Sequence, residues 1–599
     1  MKFEPKDRRA LVDAALGRIP CDLVIRNVKM LNVFTGEVYG AEIGVKDGFI
    51  ACVSADPDGE GLAFSVEGAE EYDGRGEYLL PGFIDAHVHI ESSMVTPVNM
   101  AAAVAPQGTT TIITDPHEVA NVGGVEAVRY MAEASKDLPL RVYILAPSCV
   151  PAVPGLEHAG AFFGRREMEE LLDIEGVPGI AEIMDYAGVL DHSERMEGIL
   201  DAGRRRGVFL QGHAPFLSGK RLNGYLAAGI ESDHESRTAR EAREKLRLGM
   251  FVDAREGSVT TNVETLVSAV KDFSFLTNLT LCTDDREPED LLSQGHMNYV
   301  VARAVKAGLS PAQAIVCATL NVARELGVRN IGAVAPGWVA DLQIVPDLAE
   351  PKASAVFFGG RLVAEHGRLL VSLPERSFDV ERRNTVNIRM PSAGELRIPA
   401  NGGSARVRVV VYDSPQSAFT RIAEEDLPVK DGFLDLSGDP DLKYAAVLNR
   451  YGRGNLAVAV VRGFGSREGA VASTVAHDSH NLAVVYDTPE NALVAVAALA
   501  ESGGGHCAVK DGSVIGHLPL PVYGLLSTLP CEPLVKQVNA MKAALRSLGV
   551  ETKNPVMRIV SLTLPVIPEG KITDLGIVDV NAQKLLPLFV EEQPVRFQN

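Results

Sequence analysis

Eight apolar stretches alternate with helix-like segments between residues 80 and 330, and this alternation constrains the fold more than any other feature of the chain. The predicted strands are LLPGFIDAHVHI, TTTIITDPH, RVYILAPS, GIAEIMD, GVFLQGHA, IESDHE, MFVDARE and LTLCTDD. Between them lie segments typical of helices, such as GGVEAVRYMAEASK, RMEGILDAGRRR and TAREAREKLRLG. Eight strands with helices between them over about 250 residues predict a (β/α)8 barrel. A doubly wound sheet is the alternative, and the strand count and the polar strand ends favour the barrel.

Nearly every predicted strand ends in polar or ionisable residues. Because the carboxyl ends of barrel strands converge on one face, residues far apart in sequence are expected to meet there. Histidines two residues apart on a strand point to the same side, so the first strand presents two imidazoles together. The ligand-type residues at these ends are His87, His89, Glu182, His213, His234 and Asp284.

Imidazole and carboxylate groups are ligands for Zn, Mn and Fe(II). A single histidine at a strand end is more often a hydrogen-bonded structural residue, but six ligand-type residues at matching positions favour a metal site. Six ligands exceed what one catalytic ion needs, so two ions about 3.5–4 Å apart with a bridging carboxylate are expected. Such a pair makes hydroxide available at neutral pH.

Chain length and the pattern of strands predict further domains around the barrel. At 599 residues, the chain is long enough for two to four domains. The β-rich stretches 1–79 and 331–379 predict one small, discontinuous, β-sandwich-like domain that flanks a barrel at 80–330. Residues 380–599 mix strands such as ARVRVVVYD with helices such as PENALVAVAALAES and predict an α+β domain.

The charge balance argues against two classes of partner. Fifty-eight basic and 78 acidic residues give a formal net charge of −20, which argues against binding to nucleic acids or to membrane surfaces.

No apolar stretch is long enough to span a membrane, and the charged first residues lack the apolar core of a signal peptide. The seven cysteines form no C-x-x-C motif and predict buried thiols in a cytoplasmic protein.

Motifs of competing chemistries are absent from the sequence. The combined signature of cytidine-type zinc deaminases, H-x-E with P-C-x-x-C, does not occur. Neither a G-x-S-x-G nucleophile elbow nor a P-loop is present. The three glycines at 503–505 lack the strand and helix context of a dinucleotide fingerprint and predict a turn.

Several long strings resemble the amidohydrolase superfamily and, more closely, the bacterial adenine deaminases. They are PGFIDAHVHIESSM, GTTTIITDPHEVANV, EIMDYAGVL, GHAPFLSGKRLNGYLAAGIESDHES, CTDDREPEDLLSQGHMNYVVARAV, HDSHNL and AVKDGSVIGHLPLPVYGLLS. The resemblance covers the chain from about residue 20 onwards. It implies hydrolysis of adenine to hypoxanthine and ammonia in purine salvage, a reaction of the hydrolases that act on C–N bonds in cyclic amidines.

The resemblance also implies roles for the six ligands. His87, His89 and Asp284 would hold one ion, His213 and His234 the other, and Glu182 would bridge them. GIAEIMD offers no lysine for the carboxylated lysine of many amidohydrolases. The ions implied are Mn or Fe(II), with Zn as an alternative. Asp284, Glu182 and His234 are expected to take part in catalysis, with Asp284 carrying a proton from water to the leaving amine.

Four further residues are candidates for binding the purine: Glu91, His117, Glu118 and Asp285. The segment HDSHNL, His477 to Leu482, is expected either to cover the barrel mouth or to form a structural turn. The expected partners are adenine and water, with no nucleic acid or membrane, in a homodimer. The alternatives are another amidohydrolase, such as a deacetylase or a cyclic-amide hydrolase, and a non-catalytic barrel scaffold.

Overall fold

The computed structural model describes residues 1–414, 417 and 419–591. The chain divides into two compact units. The first contains Met1–Pro116, Met131–Ser148 and Gly164–Arg376, and the second contains His117–Tyr130, Cys149–Phe163 and Ser377–Asn599. Among the described residues, no helix combines the length and the apolar character needed to cross a membrane. All seven cysteines are buried, as predicted for core thiols.

The first unit begins with a helix and five strands. They are α1 (Arg8–Ala15), β1 (Cys21–Leu31), β2 (Val38–Lys46), β3 (Phe49–Asp56), β4 (Gly68–Asp73) and β5 (Tyr78–Pro81). Asp7 caps α1 by accepting hydrogen bonds from the backbone N–H groups of Arg9 and Ala10. Strands β1, β2 and β3 form an antiparallel meander, and β4 and β5 both run parallel to β1.

The barrel strands follow: β6 (Phe83–His89), β7 (Thr109–Thr114), β8 (Arg141–Ile144), β9 (Gly179–Ile183), β10 (Phe209–Gly212), β11 (Ser232–Asp233), β12 (Phe251–Arg255), β13 (Leu279–Cys282) and the short β14 (Asp284–Asp285). Parallel pairing joins β6 with β7 and β7 with β8. It also joins β9 with β10, β11 with β12 and β12 with β13. A parallel bridge between Ala146 and Ile180 joins β8 to β9, and the Glu231 N–H donates to the Leu210 carbonyl beside β10 and β11. Pairing of β14 with β6 closes the ring. The predicted (β/α)8 barrel is therefore confirmed, and the doubly wound alternative is excluded.

Helices separate these strands. They are α2 (Pro97–Val104), α3 (His117–Ala134), α4 (Arg165–Leu171), α5 (Tyr186–Leu190), α6 (Glu194–Arg206), α7 (Gly219–Ala227), α8 (Ala239–Arg247), α9 (Val263–Val270), α10 (Pro288–Ser293), α11 (Met297–Ala307), α12 (Pro311–Cys317) and α13 (Leu320–Glu325). Short 3₁₀ turns lie at Ile90–Ser93 and Ala105–Gln107. Capping supports the boundaries: the Thr238 hydroxyl accepts from the Glu241 N–H at the start of α8, and the Glu241 carboxylate accepts from the Thr238 N–H.

The chain returns to the first sheet after the barrel. Strands β15 (Leu342–Val345), β16 (Ala355–Phe358), β17 (Arg361–Glu365) and β18 (Arg368–Leu369) extend it, with β15 antiparallel to β5. The result is one nine-stranded sheet built from both flanks of the barrel. Its core contains Ile25, Ile43, Leu79, Leu342 and Phe357, each almost fully removed from solvent. Apolar residues from both flanks thus share one core.

The second unit contains a mixed sheet and several helices. Its strands are β19 (Ser404–Tyr412), β20 (Thr420–Lys430), β21 (Phe433–Leu434), β22 (Leu442–Leu448), β23 (Leu456–Arg462), β24 (Ala470–Ser473), β25 (Leu482–Tyr486), β26 (Gly505–Lys510), β27 (Ser513–Pro519), β28 (Gly570–Thr573), β29 (Gly576–Asp579) and β30 (Lys584–Leu586). Its helices after α3 are α14 (Pro489–Ser502), α15 (Cys531–Ser547) and α16 (Met557–Val560), and 3₁₀ turns lie at Asp379–Glu381 and Ser561–Thr563.

Nine of these strands form one sheet in the order β21-β20-β19-β23-β22-β25-β24-β26-β27, and β28 to β30 form a second. The core of the large sheet packs against α14 through Ala492, Ala495, Val496 and Leu499. The segment Cys149–Phe163 belongs to this unit, where Leu156 packs on Val578 and Val580. The division into domains at 79, 330 and 379 stays a prediction.

Candidate metal centre

The first unit brings together all six ligand-type residues predicted from the strand ends. His87 and His89 lie at the end of β6, Glu182 in β9, His213 after β10, His234 after β11 and Asp284 in β14. Five of these side chains are buried, and the side chain of His213 is 17% exposed. Ligand atoms of three subsets lie within 4.8 Å of one another: His87 with His234 and Asp284, Glu182 with His213 and His234, and His89 with Asp284 and Asp285.

Glu182 lies between two pairs of histidines. Its Oε1 atom is 3.3 Å from His87 Nε2 and 3.0 Å from His89 Nε2. Its Oε2 atom is 2.6 Å from His213 Nδ1 and 3.4 Å from His234 Nε2. Each carboxylate oxygen therefore serves one pair of imidazoles, which is the arrangement that a carboxylate shared by two ions requires.

Asp284 faces the first of these pairs. Its Oδ1 atom is 3.5 Å from His87 Nε2 and 3.3 Å from His89 Nε2. Asp284 adopts a left-handed backbone conformation with φ of 55°, which a residue other than glycine adopts only where its surroundings hold it. The preceding residue supplies that restraint, because the backbone N–H and the hydroxyl of Thr283 donate to the Asp85 carboxylate at 3.0 and 2.5 Å.

The hydrogen bonds of His87 and His89 define the nitrogen atoms that face the cluster. His87 Nδ1 is 3.1 Å from Gln211 Oε1, and His89 Nδ1 is 2.9 Å from the backbone carbonyl oxygen of Asp115. Both Nδ1 atoms therefore carry hydrogen, and both Nε2 atoms, 3.1 Å apart, present lone pairs to each other and to the carboxylates. Lone pairs and carboxylate oxygens that face one another repel unless a positive charge lies between them. This set of ligand atoms therefore fits a metal ion.

The electrostatics of the protein without metal lead to the same conclusion. Burial disfavours the charged form of His87, but Asp284 and Glu182 outweigh it and raise the pKa of His87 to about 10. Burial opposes ionisation of Glu182 too, yet the neighbouring histidines, His234 first, hold its pKa well below the usual range. Without another cation, the two ionised carboxylates thus favour the protonated, positively charged form of His87.

Sequence reasoning missed three residues that support the ligands. Gln211 and Asp115 orient the two β6 histidines as described above. Arg255, the last residue of β12, donates to the Asp284 carboxylate and, over 2.6 Å, to Glu235 Oε1. Two signals were present in the sequence: Gln211 lies two residues before His213 on the same strand face, and Arg255 lies at a barrel strand end.

Two of the four predicted purine-binding residues lie in the first unit near the ligands. Glu91 is buried in the 3₁₀ turn that follows His89. Asp285 pairs with His89 across the register of β14 and β6, and its Oδ1 accepts a hydrogen bond of 2.6 Å from the Ser92 hydroxyl. The turn after β6 and the end of β14 thus place two carboxylates beside the histidine pair.

The other two, His117 and Glu118, belong to the second unit, where Glu118 contacts the HDSHNL segment. Glu118 Oε1 lies 2.5 Å from His477 Nδ1, and Glu118 Oε2 contacts His480 Nε2. The Ala476 N–H donates to His480 Nδ1, so neutral His480 carries its hydrogen on Nε2 and donates to Glu118. Burial opposes charge on His477, but Glu118 raises its pKa to about 10.

This arrangement holds Glu118 as an anion with a donor on each oxygen. One Glu118 oxygen and one ring nitrogen from each of His477 and His480 lie close enough together to hold an ion, but the tautomer of His480 favours a hydrogen-bonded carboxylate. Contact of His117 and Glu118 with a substrate, and the covering role of HDSHNL, stay predictions.

Comparison with known proteins agrees with the barrel fold. Residues 78–363 match the model of the amidohydrolase family, the class of hydrolase that this barrel and its cluster of histidines and carboxylates define. Residues 417–584 match the adenine deaminase C-terminal domain. Adenine deaminase 2 of Carboxydothermus hydrogenoformans is 42% identical over 97% of this chain and 100% of that protein. The adenine deaminase of Moorella thermoacetica is 41% identical over 97% of this chain and 98% of its own length. The chain belongs to the adenine deaminase family.

A solved structure of an enamidase, 16% identical, covers 59% of this chain and 98% of its own, with a TM-score of 0.44.

Proposed function

We propose that this chain hydrolyses adenine at C6, releasing hypoxanthine and ammonia. The observation that carries the proposal is the convergence of four imidazoles and two carboxylates from five barrel strand ends in a member of the adenine deaminase family. Water supplies the new oxygen on C6, and the amino group leaves with a proton. Adenine and water are thus the two reactants.

Two divalent ions, Mn or Fe(II) with Zn as an alternative, are proposed as cofactors. His87, His89 and Asp284 would hold one ion, His213 and His234 the second, and Glu182 would bridge them. When bound, such ions lower the pKa of water and make hydroxide available at neutral pH. By binding Nδ1, Gln211 and the Asp115 carbonyl leave the Nε2 lone pairs of the β6 histidines available to hold such ions.

Asp284 is proposed to carry the proton. Its Oδ2 atom accepts from the Arg255 guanidinium, which cannot take up a proton, so Oδ1 is the atom available for transfer. Oδ1 would accept a proton from the attacking water and deliver it to the 6-amino group as the C6–N bond breaks. Glu182 and His234 would contribute by holding the ions and the water in place.

Purine recognition is assigned to carboxylates. An ionised carboxylate only accepts hydrogen bonds, so it recognises the N–H groups of the ring. Asp285, held by Ser92, and the buried Glu91 are proposed to do this in the first unit. His117 and Glu118 are proposed as further substrate-binding residues on the basis of sequence alone.

The decisive experiment loads the protein with Mn(II) or Fe(II) under anaerobic conditions and supplies adenine. Hypoxanthine and ammonia should form in equal amounts, and adenine without enzyme is the control. Parallel incubations with a cyclic amide and an N-acetylated substrate test the other amidohydrolase activities. Turnover of one of these without turnover of adenine would contradict the proposal, as would absence of both turnover and bound metal, the result for a scaffold.

A further inference from the structure

Arg255 links the end of strand β12 to the carboxylate assigned to proton transfer. Strand β12 carries none of the six predicted ligands, yet its last side chain is buried at 3% exposure beside the site. The Arg255 Nη1 group contacts Asp284 Oδ2, while Asp284 Oδ1 faces His87 and His89. The two oxygens of Asp284 therefore have different partners.

Glu235 binds the same Nη1 group of the guanidinium. Its Oε1 atom accepts from Arg255 Nη1 at 2.6 Å, and its Oε2 atom accepts from Arg237 Nη2 at 3.2 Å. The side chains of Glu235 and Arg255 are at most 9% exposed. Charges thus alternate along Arg237, Glu235, Arg255 and Asp284. A buried charge is stable only when it is paired, so removing one member leaves another uncompensated.

The backbone of Arg255 is also tied to the neighbouring strand end. Its N–H donates to Asn262 Oδ1 at 2.7 Å. The Asn262 amide donates to the carbonyl oxygens of His234 and Ser236 at 3.1 and 2.9 Å. Arg255 is therefore fixed against the strand end that carries His234 while its side chain holds Asp284.

We propose that Arg255 is a positioning residue for Asp284. By occupying Oδ2, the guanidinium leaves Oδ1 as the oxygen presented to the metal ions and to the substrate, and Glu235 fixes the guanidinium in that position. Without the guanidinium, the Asp284 carboxylate can rotate or bind through both oxygens. Loss of the guanidinium should therefore lower both metal affinity and turnover. This inference rests on the proposed deaminase function.

The test compares Arg255→Met, Arg255→Lys and Glu235→Gln with a matched control, Arg303→Met. Arg303 is an arginine of α11 whose Nε donates to Glu256 Oε1 at 3.0 Å rather than to Asp284. Mn(II) affinity is measured by electron paramagnetic resonance, and kcat and KM are measured with adenine on metal-saturated protein. The first readout does not depend on activity.

We expect Arg255→Met to weaken Mn(II) binding roughly 10- to 100-fold, the range typical of lost outer-shell partners. At saturating metal its kcat should fall by a similar factor with KM changed less than about 3-fold. Arg255→Lys should recover part of both losses, because an ammonium keeps the positive charge but not the planar guanidinium that places Nη1 between the two carboxylates. Glu235→Gln should show smaller losses in the same direction, and Arg303→Met should match the unaltered protein.

Unaltered Mn(II) affinity and kcat in folded Arg255→Met would overturn the inference. If that variant does not fold, the same result in both Arg255→Lys and Glu235→Gln would overturn it. If the unaltered protein does not deaminate adenine, the proposed function fails, and the ratio of Mn(II) affinities between Arg255→Met and Arg303→Met still decides the positioning role.

Discussion

At the scale of single residues, hydrogen bonds on the far side of two imidazoles, those of His87 and His89, decide which nitrogen faces the cluster. His87 and His89 share a strand face because they are two residues apart. That spacing alone does not set their tautomers. Gln211 and the Asp115 carbonyl do so, by binding Nδ1 and leaving Nε2 to the ligand cluster.

Replacing Gln211 with leucine should weaken metal binding without unfolding the barrel. We expect Mn(II) affinity to fall roughly 10- to 100-fold, because His87 loses the acceptor that fixes its tautomer. Gln343→Leu is the matched control, since Gln343 is equally buried but donates to the Pro81 carbonyl in the flanking sheet. Metal titration of both variants checks the prediction, and equal affinities would contradict it.

Asp284→Asn should separate chemistry from substrate binding. An amide cannot accept the proton that the carboxylate takes from water, so kcat should fall about 10²- to 10⁴-fold while KM changes only a few-fold. Steady-state kinetics at saturating metal, with metal content measured on the same sample, check this result. The exposed Asp272→Asn serves as control. Near-normal turnover with full metal content would disprove the role of Asp284.

At the scale of secondary-structure elements, short strands position the ligand-type residues as well as long ones do. Strand β11 has two residues and β14 has two, yet both place a ligand at or beside the barrel's carboxyl end. Pairing with longer neighbours fixes them: β11 aligns with β12, and β14 aligns with β6. The register between strands, rather than strand length, determines where His234 and Asp284 lie.

Strand β26 carries a buried histidine that should make stability depend on pH. Burial lowers the pKa of His506 to about 3, and its Nε2 atom has no hydrogen-bond partner in the described part of the chain. An unfolded histidine has a pKa of about 6.5. Below that pH the unfolded state binds a proton that the folded state does not, so the free energy of unfolding falls as pH decreases from 6.5 towards 3.

His506→Asn should flatten this dependence. Between pH 7 and pH 5 the unaltered protein should lose roughly 2 kcal/mol more than the variant, from about 1.4 kcal/mol per pH unit below 6.5. Urea unfolding followed by far-UV circular dichroism at pH 7, 6 and 5 measures the difference in slope. His192→Asn is the control, because that side chain is 80% exposed. Parallel slopes for the unaltered protein and His506→Asn would refute the prediction.

At the scale of the whole molecule, the chain has two units with separate cores, and all six predicted metal ligands lie in the first. The chain's one tryptophan, Trp338, also lies in that unit, where it packs edge-on against Phe34 at 5.5 Å between ring centroids. Tryptophan fluorescence therefore reports unfolding of the unit that carries the ligands.

Metal should shift this fluorescence transition selectively. A ligand at about 100 times its Kd stabilises the folded state by roughly 2.7 kcal/mol, which raises Tm by about 4 °C in a unit of this size. The Tm reported by Trp338 fluorescence should rise by that amount when Mn(II) is added to chelator-treated protein. The Tm of the circular dichroism transition assigned to the second unit should rise less. Equal shifts in both Tm values would contradict selective stabilisation of the first unit.

The homodimer, the cytoplasmic location and the absence of nucleic-acid partners stay predictions.

The sequence by itself determined the barrel and the residues that converge in its ligand cluster. Eight strands with polar carboxyl ends sufficed, because the period of a strand and the parallel closure of a barrel are local rules that fix which side chains share a face. The long strings shared with the adenine deaminases indicated the family, which the relatives confirm.

Only the tertiary structure decided which groups support those ligands. Gln211, Asp115 and Arg255 act through contacts between residues 26 to 124 positions apart, and no local pattern encodes such pairs. It also decided that His117 and Glu118, next to a barrel strand in sequence, group with the second unit, where Glu118 binds His477 and His480. The physical reason is that side-chain partners depend on packing between distant segments, whereas strand faces depend on the backbone of one segment.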